Sequence, residues 1–574
     1  MKRAGFYLIF FLQVAASLSD LFGHTEPIIR KPVAANRIVW MSDTTGIFIK
    51  NPEYLLISGN GQADLSRSRL SFLVNTPEHK SSIILDYGME MQGAIQIITG
   101  YTDSKKPVKI RVRMGESVSE TMAEIDSGST ATNDHAMRDF ELTLPWLGKI
   151  EIGNSGFRFV RIDLLEENST ACLKEINAVS IYRDIAYLGS FKCNDQLLNR
   201  IWQTGAYTVH LNMQQYLWDG IKRDRLVWVG DMHPEVRTIL SVFGYSEVIP
   251  KSLDLVRDIT PVTEWMNGIS SYSMWWVLIH RDYYKYSGDL SYLKEQKPYL
   301  SELLRKFCSM VDDNGAEKLD GNRFLDWPSS PDKLAVNAGY QGLLLMTLKA
   351  GAELSAILED RETEELCMRK VRPMSTIKFN NVKSKQAAAL LSLADLMPPE
   401  EADEIISFDG AKNVSTFYGF YMLQAKAKAG SYTEALNLIR EYWGGMLQLG
   451  ATTFWEDFNI DWLKNASRID EMPNDQQIDV HRTYGDFCYK GHRHSFCHGW
   501  ASGPTSWLSE VVLGVQILEP GCRKIRIEPH LGDLEWVEGT YPTPLGVVKI
   551  RHEKQPNGKI KTSVTAPDGI EIIQ

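Results

Sequence analysis

Residues 219–231, Asp-Gly-Ile-Lys-Arg-Asp-Arg-Leu-Val-Trp-Val-Gly-Asp, form the densest group of chemically useful side chains in this sequence. Three carboxylates, three basic groups and a tryptophan lie within thirteen residues. A solvated charged surface is one interpretation of such a run. The apolar residues Leu226 to Val229 argue against it, because they cannot be buried while every neighbouring charge stays in water. Carboxylates in a partly buried cleft are candidates for general acid and base chemistry.

This segment resembles the signature of bacterial α-L-rhamnosidases of glycoside hydrolase family 78. That signature has an aspartate, an Arg-Asp-Glu-Arg run, a tryptophan and a Gly-Asp pair at nearly this spacing. The matching positions are Asp219, Arg223, Arg225, Trp228, Gly230 and Asp231. The family glutamate that serves as general acid is absent here, and counting back from Trp228 places Asp224 at its position. The carboxylate of Asp224 is one methylene shorter.

The resemblance implies an inverting glycoside hydrolase, in which one carboxylic acid protonates the leaving oxygen and a second carboxylate activates water. Asp224 is the predicted acid and must hold its proton near neutral pH. Repulsion from Asp219 and Asp231, and exclusion of water by Trp228, would raise its pKa. Arg223 and Arg225 would oppose that rise. We expect Asp219, Arg223, Trp228 and Asp231 to hold the sugar.

A second family element resembles residues 450–456, Gly-Ala-Thr-Thr-Phe-Trp-Glu, which follow the glycine-rich end of a predicted helix. The resemblance makes Glu456 the catalytic base. Spacing alone favours a capping or surface carboxylate at this position, and the neighbouring Asp457 is the alternative base.

His498, in Cys497-His498-Gly499-Trp500, lies where the family has a sugar-contacting histidine. A satisfied core histidine is the alternative. His492 and His494 lie nearby, but the three fit no standard zinc spacing. We therefore expect neither a metal nor a cofactor.

Trp276 and Trp327 occupy positions where family members place aromatic walls around the sugar, and Trp455 is a third candidate. Rhamnose carries a ring methyl group, and burying it against such a wall contributes on the order of 1 kcal/mol. Core packing is the alternative for each tryptophan.

Short alternating or β-branched runs, broken by turn residues, extend from about Ser42 to Asp184. Val108, Ile110 and Val112 alternate with basic residues, which is the clearest strand periodicity. The pattern predicts an N-terminal β-sandwich at residues 24–188, which either binds sugar or supports the next domain.

Apolar residues at helical spacing replace this pattern after about Gly189, and they predict a large helical domain at residues 189–516. The family resemblance implies that this domain is an (α/α)6 barrel, a ring of six helical hairpins. After Pro520, strand-like runs return between glycine and proline turns, which predicts a small antiparallel β domain at residues 517–574. This tail also resembles the C-terminal domain of the family.

The net charge of −10 disfavours nucleic acid or an anionic membrane as the main partner. Lys2 and Arg3 precede the apolar run 6–16, which predicts a signal peptide at residues 1–23 and export to the periplasm or medium. No stretch reaches transmembrane length. Seven scattered cysteines form no disulfide framework, although Cys488 and Cys497 are close enough to pair. The oligomeric state stays open.

These observations together predict an exported enzyme that removes terminal α-L-rhamnose from glycans or glycosides. A non-catalytic sugar-binding protein that lost the reach of its acid at Asp224 is the main alternative. A hydrolase of the same fold acting on another sugar is a further alternative. A lyase acting on a uronic acid would need a cation beside the uronate, and Arg223 or Arg225 could supply it.

Overall fold

A computed structural model describes residues 26–125, 133, 138–482 and 491–574. The predicted signal peptide at residues 1–23 lies outside the described residues. Cys488 does too, so whether it pairs with Cys497 or both thiols are unpaired stays open.

Within the described residues, the N-terminal domain has nine antiparallel strands and one short α-helix. The strands are β1 (Ile28–Ala34), β2 (Arg37–Met41), β3 (Ile49–Lys50), β4 (Ser71–Val74), β5 (Ser82–Thr99), β6 (Val108–Gly115), β7 (Asp139–Leu144), β8 (Lys149–Leu164) and β9 (Thr170–Arg183). The helix, α1 (Val118–Met122), follows β6.

Strand β5 connects the two halves of this domain. Its pairing shifts register between Asp86 and Met91. Before this break β5 pairs with β2 and β8, and after it with β9 and β8. Leu85 and Ile95, from opposite sides of the break, are both fully buried in one core. Such breaks let long strands pass from one layer of a sandwich to the other, and the predicted β-sandwich is confirmed.

Twelve α-helices of the described chain form the central domain. They are α2 (Gln196–Asn212), α3 (Met232–Val242), α4 (Val248–Ile259), α5 (Ser270–Ser287), α6 (Leu290–Ser309), α7 (Lys333–Ile357), α8 (Arg361–Met374), α9 (Lys385–Leu393), α10 (Pro399–Ser407), α11 (Gly419–Lys428), α12 (Tyr432–Gln448) and α13 (Gly503–Trp507). Helices α3, α5, α7, α9, α11 and α13 each contact the next, and α13 returns to α3. The inner ring is thereby closed, as an (α/α)6 barrel requires. Within the described ranges, no helix has both the length and the apolar character needed to cross a membrane.

Two small sheets close the chain. Their strands are β10 (Ser190–Cys193), β11 (Val515–Glu519), β12 (Lys524–Ile527), β13 (Trp536–Thr543), β14 (Gly546–Lys554), β15 (Ile560–Thr565) and β16 (Glu571–Ile573). The sheet β10-β13-β14-β15 is antiparallel, and its first strand comes from the start of the helical segment. In the second sheet β16 runs parallel to β12. The predicted C-terminal β domain is present, but it is not antiparallel throughout, because the chain returns along β12 in the same direction.

Candidate active site

A cavity of about 370 Å³ lies at the N-terminal ends of the inner helices, within the size range of small-molecule pockets. Its wall comes from the loops that precede α3, α5, α7 and α13 and from the loop that follows α12. The polar lining residues are Asp219, Arg223, Asp224, Asp231, Asn322, Ser330, Glu456 and His498, and the apolar ones are Trp228, Ile269, Tyr272, Phe324, Trp327 and Trp500. The cavity thus combines an aromatic wall with a cluster of carboxylates.

All the predicted site residues line this cavity except Trp276. The Trp276 ring is fully buried and packs 3.9 Å from the His280 ring, centroid to centroid. Its indole nitrogen donates to the Leu253 carbonyl at 3.3 Å. The prediction that Trp276 forms a cavity wall is therefore wrong. The wall residue on that helix is Tyr272, one turn earlier, which reaches the cavity because it belongs to the first turn.

The Arg223 guanidinium bridges the two predicted catalytic carboxylates. Its Nη1 donates to Asp224 Oδ1 at 3.1 Å, and its Nη2 pairs with Glu456 Oε2. Arg223 and Glu456 are buried, whereas the Asp224 side chain retains 11% of its exposure. The two carboxylates therefore lie on either side of one cation, and Asp224 keeps some access to solvent.

Glu456 is held as a carboxylate. Burial would raise its pKa, but Arg223 and His498 outweigh burial and lower the pKa from 4.5 to about 2. Its backbone N–H donates to the Ser495 carbonyl at 3.0 Å, and the Ser495 N–H donates back to Glu456 Oε2 at 3.3 Å. A buried, ionised and oriented carboxylate has the properties of a general base.

Asp231 connects the aromatic wall to His498. The Tyr272 hydroxyl donates to Asp231 Oδ1 at 2.8 Å, and His498 Nε2 lies 3.2 Å from Asp231 Oδ2. Burial would lower the pKa of His498, but its hydrogen bond to Asp231 and the nearby Glu456 raise it. Gly230 makes this arrangement possible, because a Cβ there would lie 2.3 Å from the Tyr272 ring.

Asp219 is buried at the base of the same cluster. Its Oδ1 accepts from the Leu226 N–H at 3.0 Å, which closes residues 219–226 into a loop that we call the acid loop. Burial raises the pKa of Asp219 well above 3.8. The charge of His498 lowers this pKa, whereas the nearby Asp231 raises it further. Burial therefore favours the protonated form of Asp219.

Asp224 and Arg225 both have left-handed backbone conformations, with φ of 55° and 54°. Asp tolerates this region, whereas Arg adopts it rarely. Arg225 is not among the residues that line the cavity, and its guanidinium donates to the Asn154 carbonyl at 2.8 Å.

Four other candidates lie outside the cavity. Trp455 is fully buried and stacks on Phe496 with centroids 4.2 Å apart. The Asp457 N–H donates to His494 Nε2 at 3.0 Å. His492 Nε2 lies 2.9 Å from the Ser119 hydroxyl of the N-terminal domain. Asp457, His492 and His494 thus hold the loops behind Glu456.

Several wall residues were not predicted from the sequence. Phe324 lies three residues before Trp327, and Trp500 lies two residues after His498. Trp500 also donates from its indole nitrogen to the Glu456 carbonyl at 3.1 Å. Proximity in sequence to a predicted site residue was the available signal for both. Asn322 and Ser330 carry no comparable signal.

Two family models match this chain. The bacterial alpha-L-rhamnosidase 6 hairpin glycosidase domain matches residues 186–366, and the bacterial alpha-L-rhamnosidase C-terminal domain matches residues 514–572. Both matched segments are similar to domains of bacterial α-L-rhamnosidases. A curated relative, the alpha-L-rhamnosidase of Formosa agariphila, is 24% identical over 181 residues, which are 30% of this chain and 18% of the relative.

Solved α-L-rhamnosidase structures share the fold. The family 78 rhamnosidase of Bacillus sp. GL1 aligns with a TM-score of 0.72 and 23% identity, and the alignment covers 91% of this chain and 55% of the Bacillus chain. The Klebsiella oxytoca rhamnosidase with rhamnose bound aligns with a TM-score of 0.66 and 18% identity, and the alignment covers 86% of this chain and 97% of the Klebsiella chain. This chain thus spans about half of the Bacillus enzyme, most of the Klebsiella one and 18% of the curated Formosa relative.

Proposed function

We propose that this protein is an inverting glycoside hydrolase that releases terminal α-L-rhamnose from glycans or glycosides. The observation that carries the proposal is the Arg223 guanidinium between Asp224 and Glu456 in an aromatic-walled cavity. Inversion needs two carboxylates with room between them for sugar and water. Asp224 would protonate the leaving oxygen, and Glu456 would take the proton of the attacking water.

The surrounding side chains fit the binding of one sugar ring. Trp228, Tyr272, Phe324 and Trp327 offer apolar faces for the ring and its methyl group. In its protonated form Asp219 would donate a hydrogen bond to a sugar hydroxyl, and Asp231 can accept one. No step of this proposal uses a metal or a cofactor.

The proposal is tested by incubating the purified protein with an aryl α-L-rhamnoside and with aryl glycosides of other sugars. We expect release from the rhamnoside in preference to the others. Preferential release from another glycoside would reassign the sugar, and release of an unsaturated product from a uronide would indicate a lyase. The structure gives a lyase little support, because Arg223 pairs with two carboxylates and Arg225 with Asn154.

A sugar-binding protein without catalytic activity is a second candidate, because Asp224 is shorter than the family glutamate. The variant Asp224→Glu separates the two. If the natural protein binds rhamnose without hydrolysing rhamnosides, and the variant does hydrolyse them, the binding function is established. Hydrolysis by the natural protein excludes it.

The basic residues and apolar run near the N-terminus support a further proposal, export to the periplasm or medium. Cell fractionation and the intact mass of the mature protein test it. Retention in the cytoplasm at full length would contradict it.

A further inference from the structure

The acid loop is attached to the N-terminal β domain on both sides of Asp224. Before Asp224, the Gly156 N–H donates to the Ile221 carbonyl at 3.0 Å. After it, Arg225 reaches the Asn154 carbonyl. The loop that carries the proposed acid therefore lies between the barrel cavity and strand β8.

Lys222 makes a further attachment, through its side-chain ammonium. Its Nζ lies 3.3 Å from Glu116 Oε2 and 3.2 Å from Glu120 Oε1, both in the N-terminal domain, and 3.1 Å from His481 Nε2. The ligand atoms of these three residues lie within 4.8 Å of one another, a spacing that also suits a metal ion. In this cluster the positive charge beside the two glutamates comes from the Lys222 ammonium.

The same ammonium reaches the loop of the proposed base. Lys222 Nζ donates to the His494 carbonyl at 2.9 Å and also to the His492 carbonyl. The next residue, Ser495, exchanges two hydrogen bonds with Glu456. One lysine therefore connects the acid loop, the backbone beside the base and the N-terminal domain.

Glu116 completes the connection. Its Oε2 also accepts from the Phe496 N–H at 2.7 Å, in the segment that holds Glu456. Glu116 is fully buried and Lys222 is 7% exposed. Breaking such a buried pair is costly, because Lys222 would lose one of the two carboxylates, Glu116 and Glu120, that compensate its charge.

The backbone of the acid loop requires such support. Two consecutive non-glycine residues with positive φ store strain, which persists only where the surrounding structure holds it. We propose that Glu116 and Gly156 of the N-terminal domain are positioning residues for the acid loop. Glu116 acts through Lys222 and Gly156 through Ile221, so the β domain is a working part of the active site. The kinetic part of this inference rests on the proposed hydrolase function.

The first test is Glu116→Gln in the full chain, with Asp163→Asn as a matched control. Asp163 is also a buried carboxylate of the β domain, but it pairs with Arg113, 2.8 Å away, and not with the barrel. We expect kcat to fall about 10- to 100-fold in Glu116→Gln with a smaller change in KM, because small misplacements of catalytic groups cost this much. Asp163→Asn should retain kcat.

The second test perturbs the loop without removing a charge. In Gly156→Ala the new Cβ would meet Ile221 Cγ1 at 2.6 Å and the Lys222 nitrogen at 2.9 Å, so the acid loop must shift. The control is Gly100→Ala, where the Cβ would meet Leu70 and Cys172 inside the β domain. We expect kcat to fall in Gly156→Ala and to be retained in Gly100→Ala.

Amide hydrogen exchange of the acid loop gives a readout that does not depend on hydrolysis. Exchange should accelerate in Glu116→Gln and Gly156→Ala and stay at the natural rate in both controls. Unchanged exchange in the two test variants, or equal loss of kcat in tests and controls, would overturn the inference. If the natural protein hydrolyses no rhamnoside, the proposed function fails, and loop exchange still decides the positioning role.

Discussion

Arg223 sets the chemistry at the scale of single residues. It pairs with Glu456 and keeps that carboxylate ionised, with a pKa of about 2, although the side chain is buried. Glu456 is therefore suited to act as a base and not as an acid. In the proposed mechanism the proton donor is Asp224, the more accessible carboxylate on the other side of Arg223.

Replacing Glu456 with Gln should lower kcat by about 100- to 10,000-fold, the usual contribution of general base catalysis. The measurement is hydrolysis of an aryl α-L-rhamnoside, with circular dichroism to verify folding. Asp457→Asn is the control, because Asp457 lies outside the cavity lining. A larger loss in Asp457→Asn than in Glu456→Gln would transfer the base role to Asp457.

Replacing Asp224 with Asn should affect substrates according to their leaving groups. A poor leaving group needs a proton from the acid, whereas a nitrophenolate leaves without one. We expect a loss of about 100-fold or more for an alkyl rhamnoside and a much smaller loss for a dinitrophenyl rhamnoside. Equal losses for both substrates would contradict the acid role.

At the scale of elements, helical periodicity predicts α5 but not which of its turns reaches the cavity. Tyr272 and Trp276 share one face of the helix, about 6 Å apart along its axis. Only the first turn borders the cavity, while Trp276 packs against α4 and α6. Which turn borders the cavity depends on how α5 is positioned against its neighbours in the inner ring, and the local sequence pattern does not reveal this.

Trp327→Ala should therefore change substrate binding, whereas Trp276→Ala should change stability. Trp327 lines the cavity, so its loss should raise KM about tenfold through lost stacking on the sugar, with little loss of stability. Trp276 is core, so its loss should cost about 3–5 kcal/mol of unfolding free energy, with KM unchanged in the protein that still folds. Rhamnoside kinetics and urea unfolding of both variants measure this, and a raised KM in Trp276→Ala would contradict the assignment.

At the scale of the whole molecule, the sequence predicts the three-part architecture because strand and helix periodicities are local. The cluster of Glu116, Lys222 and His481 could not be predicted in that way. Its members are up to 365 residues apart and meet only when the N-terminal domain packs on the barrel. The parallel pairing of β16 with β12 is a long-range contact of the same kind.

Buried carboxylates should also make global stability depend on pH. Burial raises the pKa of Asp326, behind the cavity wall, from 3.8 to about 7. Between these values the folded state holds a proton that the unfolded state has lost, so stability falls as pH rises through this range. Asp326→Asn should reduce that fall, as measured by urea unfolding at about pH 5 and about pH 7.5. An undiminished fall in the variant would show that Asp326 does not contribute.

The stereochemistry of the first-formed sugar tests the central claim most directly. NMR spectra recorded in the first minutes of hydrolysis of an aryl α-L-rhamnoside identify that anomer before mutarotation. Direct attack of water activated by Glu456, with protonation by Asp224, predicts β-L-rhamnose. First-formed α-L-rhamnose would contradict the account, because it requires a covalent intermediate and a nucleophile in place of a base.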